Sequence, residues 1–380
     1  MRDAPAGAAT GGILRQEKQR ESGVDILIAQ GDGIGPEITG ATLTVVKALQ
    51  EKYGLDLRLE HAECGLVSLR KHGITVRDED IERARKADGV VLGPMSVREY
   101  PAVEKGGVNV PATFRMKLEL YANIRPSYVR PGLNSVVSGM DLVMVRENLE
   151  DFYVDRNMFQ GLGEFMPTAE VVIAMGKITA TGSRRIARAA CEIARRRPRK
   201  KLTIVHKNPV LKMYHTLFLE ESLKVAREFP ELQVEDLMVD AVTALLIRTP
   251  ERFDVILTTN MFGDILSDEA AELSGSLGLA ASLNRGDRSA VANAGHGSAP
   301  DIAGQDVANP ASLMLSTAML FEHLGATRKD ARLADAAAAF FRNVDRLLGS
   351  AETRTRDLGG KLGTKAFAEA VARAVREEKQ

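Results

Sequence analysis

Short apolar runs that stop at turn residues alternate with helix-like stretches along most of this chain, and no other feature constrains its fold as much. VDILIAQ (24–30) is a strand-like run that ends at a glycine-rich turn. A helical pattern follows from Pro36 to about Glu51; proline suits a first helical turn because its missing N–H has no partner to lose there. LDLRLEHA (55–62) alternates apolar and polar residues as a half-buried strand does. Helical residues from about Asp78 to Lys86 lead into the apolar GVVLG (89–93). MDLVMVREN (140–148), KLTIVHK (201–207) and DVILTTN (254–260) read as further strands. SRRIARAACEIARRR (183–197) reads as an amphipathic helix, and a second helical stretch runs from about Gly263 to Gly278. The last ~70 residues read as mostly helix. This order predicts an α/β protein with a substantial parallel sheet, and there is no internal repeat.

Composition sets bounds around that fold. At about 150 residues per domain, 380 residues suggest two domains. Lys+Arg and Asp+Glu are 51 each, so the basic footprint of a nucleic-acid-binding domain is absent. The run RRRPRKK (195–201) sits where a helix should end; cations there complement the helix dipole and Pro198 stops the helix. Aromatic residues are 5% and tryptophan is absent, which argues against stacking platforms for single-stranded nucleic acid. No apolar run approaches the ~18 residues of a membrane span. Cys64 and Cys191 lie far apart, with no disulfide framework and no C-x-x-C motif. Residues 1–23 contain no apolar core of a secretion signal and read as a disordered tail, with the fold starting at Val24. A cytoplasmic enzyme without nucleic-acid or membrane partners is the expectation.

Four groups of residues could carry chemistry. GDGIGPE (31–37) follows a strand directly but is not the G-x-G-x-x-G of a dinucleotide loop; as a pattern it is also compatible with a plain strand-to-helix turn. Asp264 and Asp268 are spaced i, i+4, so both carboxylates share one helical face. A divalent cation such as Mg²⁺ or Mn²⁺ would offset their repulsion, while a solvated acidic face is the plainer alternative. The flanking Met261, Phe262, Ile265 and Leu266 show that the helix is not simply wet, and Asp240 is a third carboxylate at the end of an apolar run. Arg115, Arg125 and Arg146 suit a di- or tricarboxylate substrate, since arginine grips carboxylates bidentately; three unrelated ion pairs fit the spacing too. Lys207 ends a strand where a partly buried amine could act as a base, and Tyr153, seven residues after Arg146, could donate a proton.

The strings GDGIGPE, LYANIRP, RENLEDFY, NMFGDILSDEAAELSGSLGLAASLN and HGSAPDIAGQDVANP occur in that order. Together they resemble the isocitrate/isopropylmalate dehydrogenase family, the NAD(P)-dependent β-decarboxylating dehydrogenases, from about Val24 to the C-terminus. The resemblance implies an isopropylmalate-dehydrogenase-like α/β/α sandwich in two domains, not a Rossmann fold. The large domain would comprise residues 24–120 plus 275–380, and the small one residues 121–274 with a dimer arm at about 156–172. It implies substrate-carboxylate roles for Arg115, Arg125 and Arg146, and catalytic roles for Tyr153, Lys207 and Asp240. Lys207 and Asp240 would enter the neighbouring subunit's site in a homodimer. Asp240, Asp264 and Asp268 would be metal ligands for Mg²⁺ or Mn²⁺. His296, Gly297, Ser298, Ala299, Pro300 and Asp301, with Asn309, would bind the cofactor. Asp301 stands where NADP-using relatives carry lysine, and a carboxylate there accepts from a ribose hydroxyl but repels a 2′-phosphate, so NAD is expected.

The resemblance implies oxidative decarboxylation of a 3-substituted (2R)-malate. In VEKGGVNVPATF (103–114), Asn109 and Pro111 stand where isocitrate enzymes carry Ser and Asn, and the leucine-rich strip of isopropylmalate enzymes is missing. RENLEDFY is closer to isocitrate and homoisocitrate enzymes. Asn109 is therefore included in the expected substrate site; isopropylmalate, D-malate or tartrate and a specialised 3-substituted malate stay as alternatives. Asn208 and Pro209 after Lys207, and Asn293 ahead of His296, depart from the family pattern beside the cofactor. A non-catalytic regulatory subunit would have lost the aspartates, the tyrosine or the lysine; here Asp240, Asp264, Asp268, Tyr153 and Lys207 all stand.

Overall fold

A computed structural model describes residues 23–153 and 163–378. Almost all of the expected tail, and residues 156–162 of the expected arm, lie outside the described residues. The strands are β1 (Val24–Ala29), β2 (Leu57–Ala62), β3 (Gly89–Leu92), β4 (Ala122–Tyr128), β5 (Asp141–Glu147), β6 (Glu164–Thr168), β7 (Val171–Ala174), β8 (Lys201–His206), β9 (Gln233–Met238), β10 (Val255–Thr258), β11 (Ala281–Arg285) and β12 (Ala290–Ala294). The α-helices are α1 (Gly35–Tyr53), α2 (Leu66–His72), α3 (Asp78–Lys86), α4 (Val110–Lys117), α5 (Ala180–Ala194), α6 (Lys212–Ala226), α7 (Val239–Arg248), α8 (Asn260–Ser274), α9 (Ala311–Arg328), α10 (Ala331–Leu348) and α11 (Thr364–Glu377). Among the described residues, no helix is long and apolar enough to cross a membrane.

One ten-stranded sheet runs β2-β1-β3-β12-β11-β4-β5-β10-β8-β9. Its two flanks are parallel, but β12, β11, β4 and β5 pair antiparallel in the middle. The two parallel flanks therefore run in opposite directions. Strand alternation sorts the side chains onto two faces. Val24, Ile26 and Ile28 pack with α1, α9, α10 and α11, whereas Leu27 and Ala29 pack with α3 and α4. In the other half, Val143 and Val145 pack against α5 and α6, while Leu142 and Met144 pack against α7 and α8. The result is three layers, helix–sheet–helix, with four core clusters.

Most strands and helices fall where the apolar pattern places them, and the differences have physical reasons. The helix expected from Gly263 begins at Asn260, three residues earlier. Asp240 does not end a strand; it lies in the first turn of α7, directly after β9. The antiparallel centre does not follow from apolar runs, because β4 (ANIRPSY) is polar on one face and contains Pro126. Proline is tolerated there because β11 pairs with β4 only over Ala122–Ile124, so that edge of the strand is open at Pro126. The run at 195–201 behaves as expected: α5 ends at Ala194, and Arg197 donates to the fully buried Asp254 and pairs with Asp141 at 2.8 Å.

The turn after β1 sets the position of a distant loop. Gly33 has φ +56°, and a Cβ there would lie 2.0 Å from the Ser298 carbonyl oxygen. Ile34 N–H donates to that same oxygen at 2.8 Å, and the Ser96 and Ser298 hydroxyls bond at 2.8 Å. Asp32, 5% exposed, accepts from Leu66 N–H, Ser96 N–H and the Tyr100 hydroxyl. Gly33→Ala should cost about 1–3 kcal/mol, because both the left-handed backbone and the Ser298 contact forbid a side chain. Urea unfolding measures this; a midpoint equal to wild type would contradict the packing described.

Candidate active site

Two buried arginines and two half-exposed carboxylates meet at the seam of the sheet. Arg146, near the C-terminal end of β5, is 2% exposed. Its stem passes beneath α8 at Gly263, where a Cβ would lie 2.6 Å from Arg146 Cγ. Its Nε and Nη2 donate to Asn260 Oδ1 at 2.8 and 2.6 Å, and its Nη1 donates to Asp264. Burial lowers the Arg146 pKa to about 10, opposed by the charge of Asp264, so the guanidinium stays protonated at neutral pH.

Arg125 reaches the same place from β4. Its Nε donates to Asn123 Oδ1 at 2.6 Å, and its Nη1 donates to Ser267 Oγ and Asp268 Oδ1, both at 2.8 Å. Its Nη2 lies 3.5 Å from Asp264 Oδ1. Asn123 in turn donates to Ser282 and Asn284 on β11, so the arginine is braced across the seam. The spacing of Asp264 and Asp268 places both on the face of α8 that meets these arginines, with side chains 38% and 50% exposed. Burial raises the Asp268 pKa, with Arg125 opposing. Tyr153 donates to Asp264 Oδ2 at 3.3 Å, and its ring centroid lies 5.7 Å from the Arg146 guanidinium carbon. Burial and then Asp264 raise the Tyr153 pKa, so the phenol keeps its proton.

Lys207 and Asp240 form a different group. Lys207 follows β8, and its Nζ pairs with Asp240 Oδ1 at 2.6 Å. That hydrogen bond holds the Asp240 pKa below the ordinary carboxylate value. The Lys207 backbone N–H donates to Nδ1 of the buried His215, and Asn208 N–H donates to His206 Nδ1. No hydrogen bond or ion pair joins this pair to Asp264 or Asp268 among the described residues. Likewise, no group of three His, Cys, Asp or Glu able to hold a metal occurs in the single chain among the described residues. The chain thus presents two hard carboxylate donors at one place and Asp240 at another.

Arg115 is partly buried on α4. Asn109 caps that helix, its Oδ1 accepting from Ala112 N–H at 3.1 Å, and Pro111 occupies the first turn. The Asn109 amide nitrogen makes no hydrogen bond among the described residues. In the 296–301 loop, His296 Nδ1 lies 2.9 Å from the Gly297 carbonyl, while its Nε2 is buried without a partner. Burial lowers the His296 pKa. Gly297 faces open space, and the exposed Asp301 carboxylate makes no ion pair among the described residues. Ala299 adopts φ 36°, ahead of Pro300 at the start of a short 3₁₀ turn. Asn309 is occupied at both ends, donating to Asp357 at 3.0 Å and accepting from Ala311 N–H at 2.9 Å.

Asn260, Gly263, Asn123 and Ser267 shape this site and escape sequence reasoning. Asn260 and Gly263 fall one turn and one residue before Asp264, a signal visible only once the helix start is placed correctly. Asn123 lies two residues before Arg125, the spacing of one strand face.

A profile of the isocitrate/isopropylmalate dehydrogenase family matches residues 25–371. An isocitrate/homoisocitrate dehydrogenase of Thermus thermophilus is 41% identical over 353 residues, spanning 92% of this chain and 98% of that protein. A 3-isopropylmalate dehydrogenase of Methanothermobacter thermautotrophicus is 38% identical over 348 residues, spanning 92% and 97%. A homoisocitrate dehydrogenase of Methanocaldococcus jannaschii is 36% identical over 364 residues, spanning 93% and 98%. Among solved structures, an isocitrate dehydrogenase from Methylococcus capsulatus superposes with TM-score 0.83 at 36% identity, covering 93% of this chain and all of that one.

Asn260→Ala should destabilise the protein by about 1–3 kcal/mol, because it leaves a buried guanidinium with unsatisfied donors. It should also raise KM for the acid substrate by freeing Arg146 to shift. Chemical denaturation and steady-state kinetics read the two effects, and an unchanged unfolding midpoint would contradict the role assigned to Asn260.

Proposed function

The chain belongs to the isocitrate/isopropylmalate dehydrogenase family and is a dehydrogenase of that family; from that premise we propose that it oxidatively decarboxylates a 3-substituted (2R)-malate with NAD and a divalent metal. An isocitrate- or homoisocitrate-like substrate is the reading we favour. One observation carries the proposal: Arg125 and Arg146 converge on Asp264 and Asp268 with the Tyr153 hydroxyl 3.3 Å away. Cations for substrate carboxylates, anions for a metal and a protonated phenol then share one cleft.

The residues suit both cofactors. Two hard oxygen donors one helical turn apart fit Mg²⁺ or Mn²⁺, with Asp240 of a second copy as the third carboxylate. The metal, when bound, would polarise the substrate hydroxyl and stabilise negative charge that develops on its oxygen. The unpartnered Nε2 of His296 and the free carboxylate of Asp301 fit an adenosine moiety, and NAD, when bound, would accept the hydride. Arg115, Arg125 and Arg146 would hold the substrate carboxylates and so fix the orientation of the hydroxyl carbon. Lys207, once its ammonium has released a proton to solvent and left the pair with Asp240, would take the hydroxyl proton as a neutral amine. The β-keto acid then loses CO₂, and Tyr153 returns a proton to the carbon that carried it.

Because Lys207 and Asp240 stand apart from Asp264 and Asp268, the complete site is read as shared between two copies. Hairpin β6–β7 is exposed along its length, with Phe165, Met166, Val172 and Ile173 all more than 40% exposed. So apolar a projecting element is suited to an interface, and we assign it to the arm of a homodimer. The two halves of the sheet, each with its own pair of core clusters, are proposed as the two domains. Cys64 and Cys191 are free buried thiols pushed up to about 12 by burial, in keeping with a cytoplasmic enzyme.

The Asn109 amide nitrogen favours a substituent that ends in a hydrogen-bond acceptor such as a third carboxylate. NAD reduction with Mg²⁺ or Mn²⁺ against isocitrate, homoisocitrate, 3-isopropylmalate, D-malate and tartrate should give the highest kcat/KM on one of the first two. Turnover of none of the five would contradict the proposed reaction. Asp268→Asn should lower kcat by about a hundredfold or more, and near-normal rates would sink the metal assignment. A higher kcat/KM with NADP than with NAD would refute the reading of Asp301.

A further inference from the structure

On the face of the sheet opposite Arg125 and Arg146, a trough of about 830 Å³ runs between the two halves of the chain. The side-chain alternation fixes its side. Asn123, Ser282 and Asn284 bond one another on the substrate face, so Ile124, Leu283 and Arg285 point the other way. One wall is formed by the C-terminal ends of α3 and α9 and the β11–β12 turn, and the other by Tyr121 and α5. The trough joins a second cavity of about 850 Å³, floored by Ile124, Val143 and Leu283, and shares Glu192, Arg285 and His323 with it.

Eight lysine and arginine side chains line the trough against three carboxylates, although the chain as a whole carries no net charge. Part of this charge is answered inside the protein. Arg188 pairs with Glu228 at 2.7 Å, Arg184 with Glu221 at 2.5 Å, and Arg328 with Asp88 at 2.6 Å. Lys86, Arg185 and Arg288 make no ion pair among the described residues, and Arg285 approaches Glu192 only to 3.7 Å. The Arg185 guanidinium carbon lies over the Tyr121 ring, 4.3 Å from its centroid. The Nε atoms of Arg185 and Arg285 are both buried and have no hydrogen-bond partner. Buried guanidinium donors are costly to leave unmade, and an oxyanion is the acceptor whose charge and planar geometry match them. Burial, and after it the charges of Arg285 and Arg196, lowers the pKa of the half-buried His323 to about 4.

We propose that this trough binds a small polyvalent oxyanion, carrying two or more phosphate or carboxylate groups, at a site separate from the substrate cleft. Arg185 on α5 and Arg285 and Arg288 at the β11–β12 turn are its principal contacts. Such a ligand bridges the two halves of the chain from behind the substrate site. It therefore has a means of influencing how closely the halves approach.

Titration calorimetry of the full-length protein with tripolyphosphate, and separately with citrate, tests this. Saturable binding that weakens as salt rises is expected for at least one of the two. Tighter tripolyphosphate binding assigns a phosphorylated ligand and tighter citrate binding a polycarboxylate. Arg185→Gln/Arg285→Gln should weaken the bound anion by about tenfold or more, through loss of two charge-assisted contacts. Arg288→Gln, at an exposed position that does not endanger folding, should weaken it as well. No saturable binding of either anion, or binding undiminished in Arg288→Gln, would overturn the proposal.

Discussion

The guanidinium of Arg146 is buried beneath α8, and much of the surrounding structure exists to make that tolerable. A buried charge is expensive unless it is paired and its donors are satisfied. Asn260 takes two of the donors, Asp264 takes a third, and Gly263 omits the side chain that would collide with the arginine stem. Those three residues lie within the first five positions of one helix, so the need to house Arg146 also fixes where α8 starts and which face it turns to the sheet. Asp264 is thereby aimed into the cleft, with Asp268 one turn further on. Arg125, braced by Asn123 across the β4–β11 seam, then meets Asp268.

The antiparallel middle of the sheet makes this meeting possible. Each parallel flank carries its own helices on both faces, and β11 and β4 join the flanks edge to edge. The strands of the seam are themselves largely buried, and an opening lies beside them on either face. On one face lie the arginines, the aspartates and Tyr153. On the other lies the basic trough. A net charge of zero is therefore the sum of strongly signed regions rather than an even mixture.

Much of this was legible in the order of apolar runs. The strands that became β1, β3, β5, β8 and β10 are continuous and hydrophobic because both of their faces are covered. The central strands were harder to read, since β4 gives one face to Asn123 and Arg125 and carries Pro126, and β11 is built from small and polar residues. The i, i+4 spacing placed Asp264 and Asp268 on one face of a helix. Nothing in the spacing could reveal that Asn260 and Gly263 serve Arg146, because that contact spans more than a hundred positions. The apolar run before Asp240 reads as a strand that it ends, yet the strand stops at Met238 and Asp240 lies in the first turn of α7, paired with Lys207. Family resemblance, not local pattern, supplied its role.

That the base and the metal carboxylates belong to different copies of the chain is the claim on which the catalytic account rests. Co-expressing Lys207→Met with Asp268→Asn chains, each inactive alone, tests it directly. In a mixed dimer, one site inherits both lesions and the other inherits none, so a statistical mixture should recover about a quarter of wild-type activity. No recovery from mixed dimers shown to have formed would mean that each chain completes its own site, contrary to the shared site proposed.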